Sequence, residues 1–184
     1  KDNLLELITL LETHPKRIKE DPGSYMTALN NLVGFYLFQK NYSSANSYLQ
    51  KVKALPEKYG LQQGSKFTQK LHLRTFNIEL EIYRDTKDWQ KGIQLIEKVS
   101  AFISKNQKTI AETYLLQLWY QFAYIYFMAA EYNNALRWVN EILNYKFGAD
   151  RKDLQSYARL LNLMIHFELG NSFVLKYAVD RTRR

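Results

Sequence analysis

A chain of 184 residues with no cysteine, 7 glycines and 3 prolines is long enough to bury roughly 70% of its unfolded surface without staples, and it excludes disulfides, thiolate metal sites and cysteine nucleophiles. So few glycines and prolines also exclude a turn-dense β-sandwich or barrel, while 46% hydrophobic and 24% charged residues describe an ordinary globular composition. The formal charge of +8 is spread evenly, with 14 basic and 10 acidic side chains in residues 1–92 and 12 and 8 in residues 93–184, so neither half forms a basic arm.

Apolar residues recur at intervals of three and four almost throughout, the spacing of a stripe down one side of an α-helix. The chain opens on Lys1-Asp2-Asn3 and continues through Leu4, Leu5, Leu7, Ile8, Leu10 and Leu11, interrupted by Glu6 and Glu12. That is an amphipathic helix over 3–13 rather than a targeting segment, and the missing initial Met gives the chain the look of a piece excised from a longer protein. Lys16, Arg17 and Lys19, like the terminal Arg181, Arg183 and Arg184, read as solvated faces. Asp21-Pro22-Gly23-Ser24 marks the next start. Helices are predicted over 24–39, 43–54, 64–86, 89–104, 109–130, 133–145, 151–169 and 172–182, with Pro56, Gly60, Gly64, Gly148 with Asp150, and Gly170-Asn171 as the breaks. The longest run without a charged or strongly polar residue, Phe122 to Ala130, has nine residues, against the roughly 20 needed to cross a bilayer. No Pro-rich or Gly/Ser-rich linker divides the chain. The reading is therefore one all-α domain of about eight or nine helices over 1–184, and the absence of cysteine points to the cytoplasm.

The helices repeat. Asn41-Tyr42, Asp88-Trp89, Glu131-Tyr132 and Asn171-Ser172 fall in register at separations of 47, 43 and 40 residues. Three residues after the first three aromatics come Ala45, Gly92 and Ala135, and six before them sit Tyr36, Tyr83 and Tyr126. A small residue is needed where two antiparallel helices approach most closely, because a larger one would push the axes beyond the ~8 to 10 Å contact distance.

The third unit, Trp119-x2-Phe122-Ala123-x2-Tyr126 followed by Tyr132-x2-Ala135-x3-Val139-x2-Ile142, resembles the tetratricopeptide repeat. Residues 28–56 follow the same order through Leu29, Leu32, Tyr36, Tyr42, Ala45, Leu49, Val52 and Pro56; residues 76–99 depart from it at Gly92 and Glu79. Spacing of 40 to 47 residues instead of about 34 is similar to divergent, extended tetratricopeptide-like arrays of bacterial proteins, with HEAT-like solenoids as the near alternative. The resemblance implies an antiparallel helix-pair solenoid, a right-handed superhelix, with an N-terminal helix over 1–20 and units near 24–56, 71–104, 114–145 and 154–182. It also implies a concave groove lined by the first helix of each pair. Its inward-facing positions here are Asn30 and Gly34, Arg74, Asn77, Glu81 and Arg84, Tyr120 and Tyr124, and Leu160 and Met164. The family's carboxylate clamp for chain termini is not reproduced, since Asn30, Gly34, Leu118 and Gln121 stand where it has Lys, Asn, Lys and Arg.

Catalytic constellations are not found. His14, His72 and His166 are far apart in sequence and none lies at the i, i+4 spacing of a helical metal pair; His166 takes the packing position of Tyr36, Tyr83 and Tyr126 and reads as a core histidine. Glu79 and Glu81 point apart on their helix, and Asp88 reads as an N-cap. There is no phosphate loop, nucleophile elbow or dinucleotide fingerprint. The Trp119, Phe122 and Tyr126 series reads as core, leaving Tyr120 and Tyr124 exposed one turn apart. The expectation is a non-enzymatic, cofactor-free and metal-free interaction scaffold for a peptide or helix of another protein. Its alternatives are a basic solenoid binding single-stranded nucleic acid, or a self-association or sensor arm of a larger regulator.

Overall fold

The computed structural model describes residues 2–145, 152–173 and 175, and every regular element among them is helical. In chain order these are α1 (Asp2–Glu12), α2 (Pro15–Glu20), α3 (Pro22–Phe38), α4 (Tyr42–Lys53), α5 (Leu55–Tyr59), α6 (Lys66–Asp85), α7 (Trp89–Asn106), a 3-10 turn (Gln107–Thr109), α8 (Glu112–Met128), α9 (Tyr132–Asn144) and α10 (Lys152–Glu168). The predicted helix over 172–182 lies almost wholly outside the described residues, as do Gly148, Asp150 and the terminal arginines.

Two short helices depart from expectation. The Lys16, Arg17 and Lys19 run belongs to α2, and the stretch around Pro56 is α5. Proline disrupts a helix interior but fits the first turn, where its missing N–H has no partner to lose. Pro15 and Pro56 occupy such positions. Ile18, Leu55 and Tyr59 then turn into the core.

The helices group into two compact units, residues 1–82 and 83–184. In the first, α1 packs on α2 and α3, α3 on α4, and α5 on α2 and α4. Ile8, Ile18, Tyr25, Leu29, Leu32, Val33, Leu49, Val52, Leu71 and Ile78 form one core. Tyr36 stacks on Tyr48 with ring centroids 5.6 Å apart. In the second, α8 packs on α7 and α9, and α10 on α8 and α9. Trp119, Phe122 and Tyr126 are buried there as expected of the packing stripe, Phe122 meeting the edge of Trp138 at 4.9 Å.

The repeated turns share one geometry. Lys40, Lys87, Ala130 and Gly170 adopt positive φ of 56°, 59°, 59° and 70°. The next amides, of Asn41, Asp88, Glu131 and Asn171, donate back to the carbonyls of Tyr36, Tyr83, Tyr126 and His166 at 2.9 to 3.0 Å. This is the Schellman closure of a helix, recurring at the separations read from the sequence. The Asn41 and Asp88 side chains then cap the following helices by accepting from the amides of Ser44 and Lys91 at 3.1 and 3.3 Å. Ala45 and Ala135 are fully buried. At Gly92 a Cβ would meet the Ile125 side chain at 3.0 Å, so α7 and α8 approach closely at that point.

Glu12 ties α1 to two neighbours, accepting from the Tyr25 hydroxyl at 2.6 Å and from Lys51 Nζ at 2.7 Å. Burial pushes the Glu12 carboxyl up, but the Lys51 and Tyr25 hydrogen bonds outweigh it and hold the group below its ordinary value. Burial and the Glu12 carboxylate drive the Tyr25 hydroxyl far above the tyrosine range, so it stays a donor.

The seams, the left-handed turns and the Glu12 contacts each give a prediction. Ala45→Arg and Ala135→Arg force charge and volume into filled seams and lose several kcal/mol; a melting temperature unchanged in both contradicts the seam. Ala130→Gly relieves a left-handed conformation costing about 1–2 kcal/mol, against the greater freedom glycine loses on folding, and gains about 0.5–1 kcal/mol in denaturant titration. Because Glu12 is depressed in the folded state, the unfolded chain binds more protons there, and the stability Glu12 contributes is lost as pH falls below the ordinary glutamate range. Glu12→Gln flattens that acid limb in pH-dependent melting; an unaltered limb contradicts the assignment.

Candidate functional site

The site is built on α6. Its residues Leu71, Thr75, Ile78 and Ile82 recur at helical spacing and are buried, and Leu71, Ile78 and Ile82 join the core of the first unit. That fixes the helix's rotation, so Arg74, Asn77 and Glu81, which share a different stripe, line an open cleft together with Asn30, Gly34, Leu37, Phe38 and Ile78. The cleft encloses about 430 Å³. Glu79, two residues from Glu81, turns instead into the protein and accepts from Lys53 Nζ at 2.7 Å. Its side chain is only 11% exposed against 39% for Lys53. The apolar position that the repeat pattern lacks at Glu79 is thus filled by an ion pair.

The α3 wall supplies two unusual residues. Nothing stands within 4 Å of where a Gly34 Cβ would lie, so glycine at this helical position leaves the cleft open without being required by packing. Asn30 differs from its expected inward-facing, accessible placement: it is 5% exposed, and neither the nitrogen nor the oxygen of its amide has a hydrogen-bond partner among the described residues. Periodicity places Asn30 one residue from the core position Leu29, beside the buried stripe of α3.

Arg84, Tyr120 and Tyr124 belong to the second unit. Tyr120 and Tyr124 are half-buried rather than freely exposed, and Tyr120 leans on Tyr157 of α10 with ring centroids 6.2 Å apart. Burial raises the Tyr120 hydroxyl above its ordinary value, the Tyr124 and Tyr157 hydroxyls add to this, and Arg84 opposes it. Arg84 Nε donates to Asp85 at 3.0 Å. Sequence reasoning missed Tyr157. The signal was its spacing from Leu160 and Met164, since the three form one exposed stripe on α10.

Among the described residues, no group of three or more His, Asp or Glu side chains comes together to hold a metal. Burial, with Lys53 nearby, lowers the His72 pKa, and the ring stacks on Phe76. His166 is half-buried in the last turn of α10, its Nδ1 3.3 Å from the Asn171 side-chain amide nitrogen, rather than enclosed in the core. Leu118 and Gln121, the other positions compared with the clamp, are buried. No helix among the described residues is long and apolar enough to cross a membrane. No protein-family model, curated protein or solved structure matches the chain.

The Lys53–Glu79 pair holds the face of α6 opposite the cleft. Lys53→Ala strands a nearly buried carboxylate and lowers stability by about 1–3 kcal/mol, whereas Lys53→Met/Glu79→Leu is close to neutral. Equal losses in both variants, measured by urea titration, contradict this account.

Proposed function

We propose that the chain is a non-enzymatic interaction module, a divergent tetratricopeptide-like scaffold that holds a peptide segment or helix of a partner protein. The observation that carries this reading is the cleft of the first unit. It joins apolar Leu37, Phe38 and Ile78 to the polar Asn30, Arg74, Asn77 and Glu81. A concave lining that mixes apolar side chains with a few polar ones is what recognition sites share, and Phe38, 89% exposed, leaves its ring open to a partner. The cleft brings one cation and one anion, which suits a polypeptide of mixed charge better than a polyanion. The Tyr120, Tyr124 and Tyr157 rings offer contact area with little rotamer entropy to lose, and supply a second surface for the same kind of partner.

The test uses peptides selected from a random phage-displayed library on the full chain. Gly34→Met places a side chain in the open mouth of the cleft without a clash and replaces glycine by a better helix former. Binding of the selected peptides is expected to fall at least tenfold while the melting temperature holds or rises. Peptides that bind Gly34→Met as well as the parent place the site elsewhere. A chain that binds only oligonucleotides, with affinity falling steeply as salt is added, overturns the reading.

A further inference from the structure

Three cations stand in a row on α6 with nothing to balance them. Lys66, Lys70 and Arg74 recur at every fourth residue, about 6 Å apart along the helix axis at ~1.5 Å per residue, and all three are exposed. None of their side chains has a hydrogen bond or an ion pair among the described residues. Their own helix works against them. Like charges four residues apart repel, and Lys66 opens the helix, at the end whose dipole disfavours a cation. The acidic residues of α6, Glu79, Glu81 and Asp85, all lie in its second half, beyond the three- and four-residue spacing at which helical side chains meet the row. A local rule broken with no gain to folding is the mark of a functional feature.

The row borders α3. Lys70 lines a cleft of about 540 Å³ with Leu7, Asp21, Thr27 and Asn31, and Arg74, one turn further along α6, lines the cleft described above with Gly34 and Phe38. α3 carries no Asp, Glu, Lys or Arg, so that wall offers the cations no counter-charge. It offers apolar contact instead, since Phe38 on α3 and Leu7 on α1 are both exposed. The row is also short. Asp21 stands in the first cleft at the start of α3, and after Arg74 the stripe on α6 passes to the neutral Asn77. A phosphate backbone carries its charge on past both ends and is held by cations along its whole track; a polypeptide can confine its acids to the row and set apolar side chains beside them.

We infer that this face of α3 and α6 takes an acidic peptide segment. Its carboxylates recur at steps of about 6 Å, every fourth residue of a helix or every second residue of an extended chain, and are set against Lys66, Lys70 and Arg74, with apolar side chains alongside on Leu7 and Phe38. This rests on the cleft being the peptide site proposed above, and it names the chemistry of the ligand.

The experiment selects peptides on the full chain from the random phage-displayed library and takes those whose binding Gly34→Met weakens. These are expected to be enriched in Asp and Glu at the spacing given. Lys70→Glu and Arg74→Glu each remove a like-charge contact, so the melting temperature is expected to hold or rise while affinity for the selected peptides falls at least tenfold. The double variant Lys70→Glu/Arg74→Glu is expected to prefer, by at least tenfold, versions of the same peptides in which lysine replaces the acidic residues. An oligothymidylate is expected to bind the parent chain at least tenfold more weakly than the peptides do. Sensitive peptides without acidic enrichment, or affinity untouched by either reversal, overturn the inference and leave the cleft standing as a peptide site. So does a melting temperature that falls in both reversals, which would give the cations a role in folding, or an oligothymidylate that binds more tightly than the peptides and is lost in the reversals, which would assign the row to a polyanion. Failure to select any peptide sensitive to Gly34→Met overturns both readings.

Discussion

The structure depends on how closely two short helices can approach each other. A helix of twelve to seventeen residues such as α4, α3 or α8 is marginal by itself in water, and its stability comes from laying its apolar face against a neighbour. Ala45 and Ala135, both without exposed surface, are small at the points where their helices meet others. The turns set the approach. A single residue in the left-handed region reverses the chain, and the amide after it bonds back into the helix just ended, so the next helix begins in a fixed direction.

The cleft follows from that packing. Once α3 is locked to α4 and α6 has committed Leu71, Ile78 and Ile82 to the core, the remaining stripes of α6 have no freedom to choose their surroundings. One stripe carries Glu79 inward, where Lys53 neutralises it; another carries Arg74, Asn77 and Glu81 to the cleft. Asn30 departs from this economy. Elsewhere the first unit's buried polar side chains are matched, Thr68 to the Gln62 carbonyl and Thr75 to the His72 carbonyl, whereas the Asn30 amide has no hydrogen-bond partner among the described residues.

Much of this was legible in the sequence because helical periodicity and close approach leave compositional traces. The three-and-four spacing located the long helices to within about three residues, and the Ala45, Gly92 and Ala135 offsets located the turns. What was not legible had a physical reason in each case. α2 and α5 have six and five residues, too few to display a period, and their prolines read as breaks because proline signals a helix start and a helix stop alike. The left-handed residues were hidden because three of them are Lys40, Lys87 and Ala130 instead of glycine. The contact of Tyr120 with Tyr157 joins two helices distant in sequence, which periodicity within one helix does not report.

Native-state hydrogen exchange read by NMR tests the central claim most directly, at the amides of Asn41 and Glu131. Both are solvent-exposed residues in turns, where free amides exchange quickly, yet both amides are engaged with carbonyls of the preceding helix. The account predicts protection approaching that of the buried helical amides of Leu49 and Val139. Exchange at the rate of an unstructured peptide would show that the turns do not lock the pairs, and the seams at Ala45 and Ala135 would then have no cause.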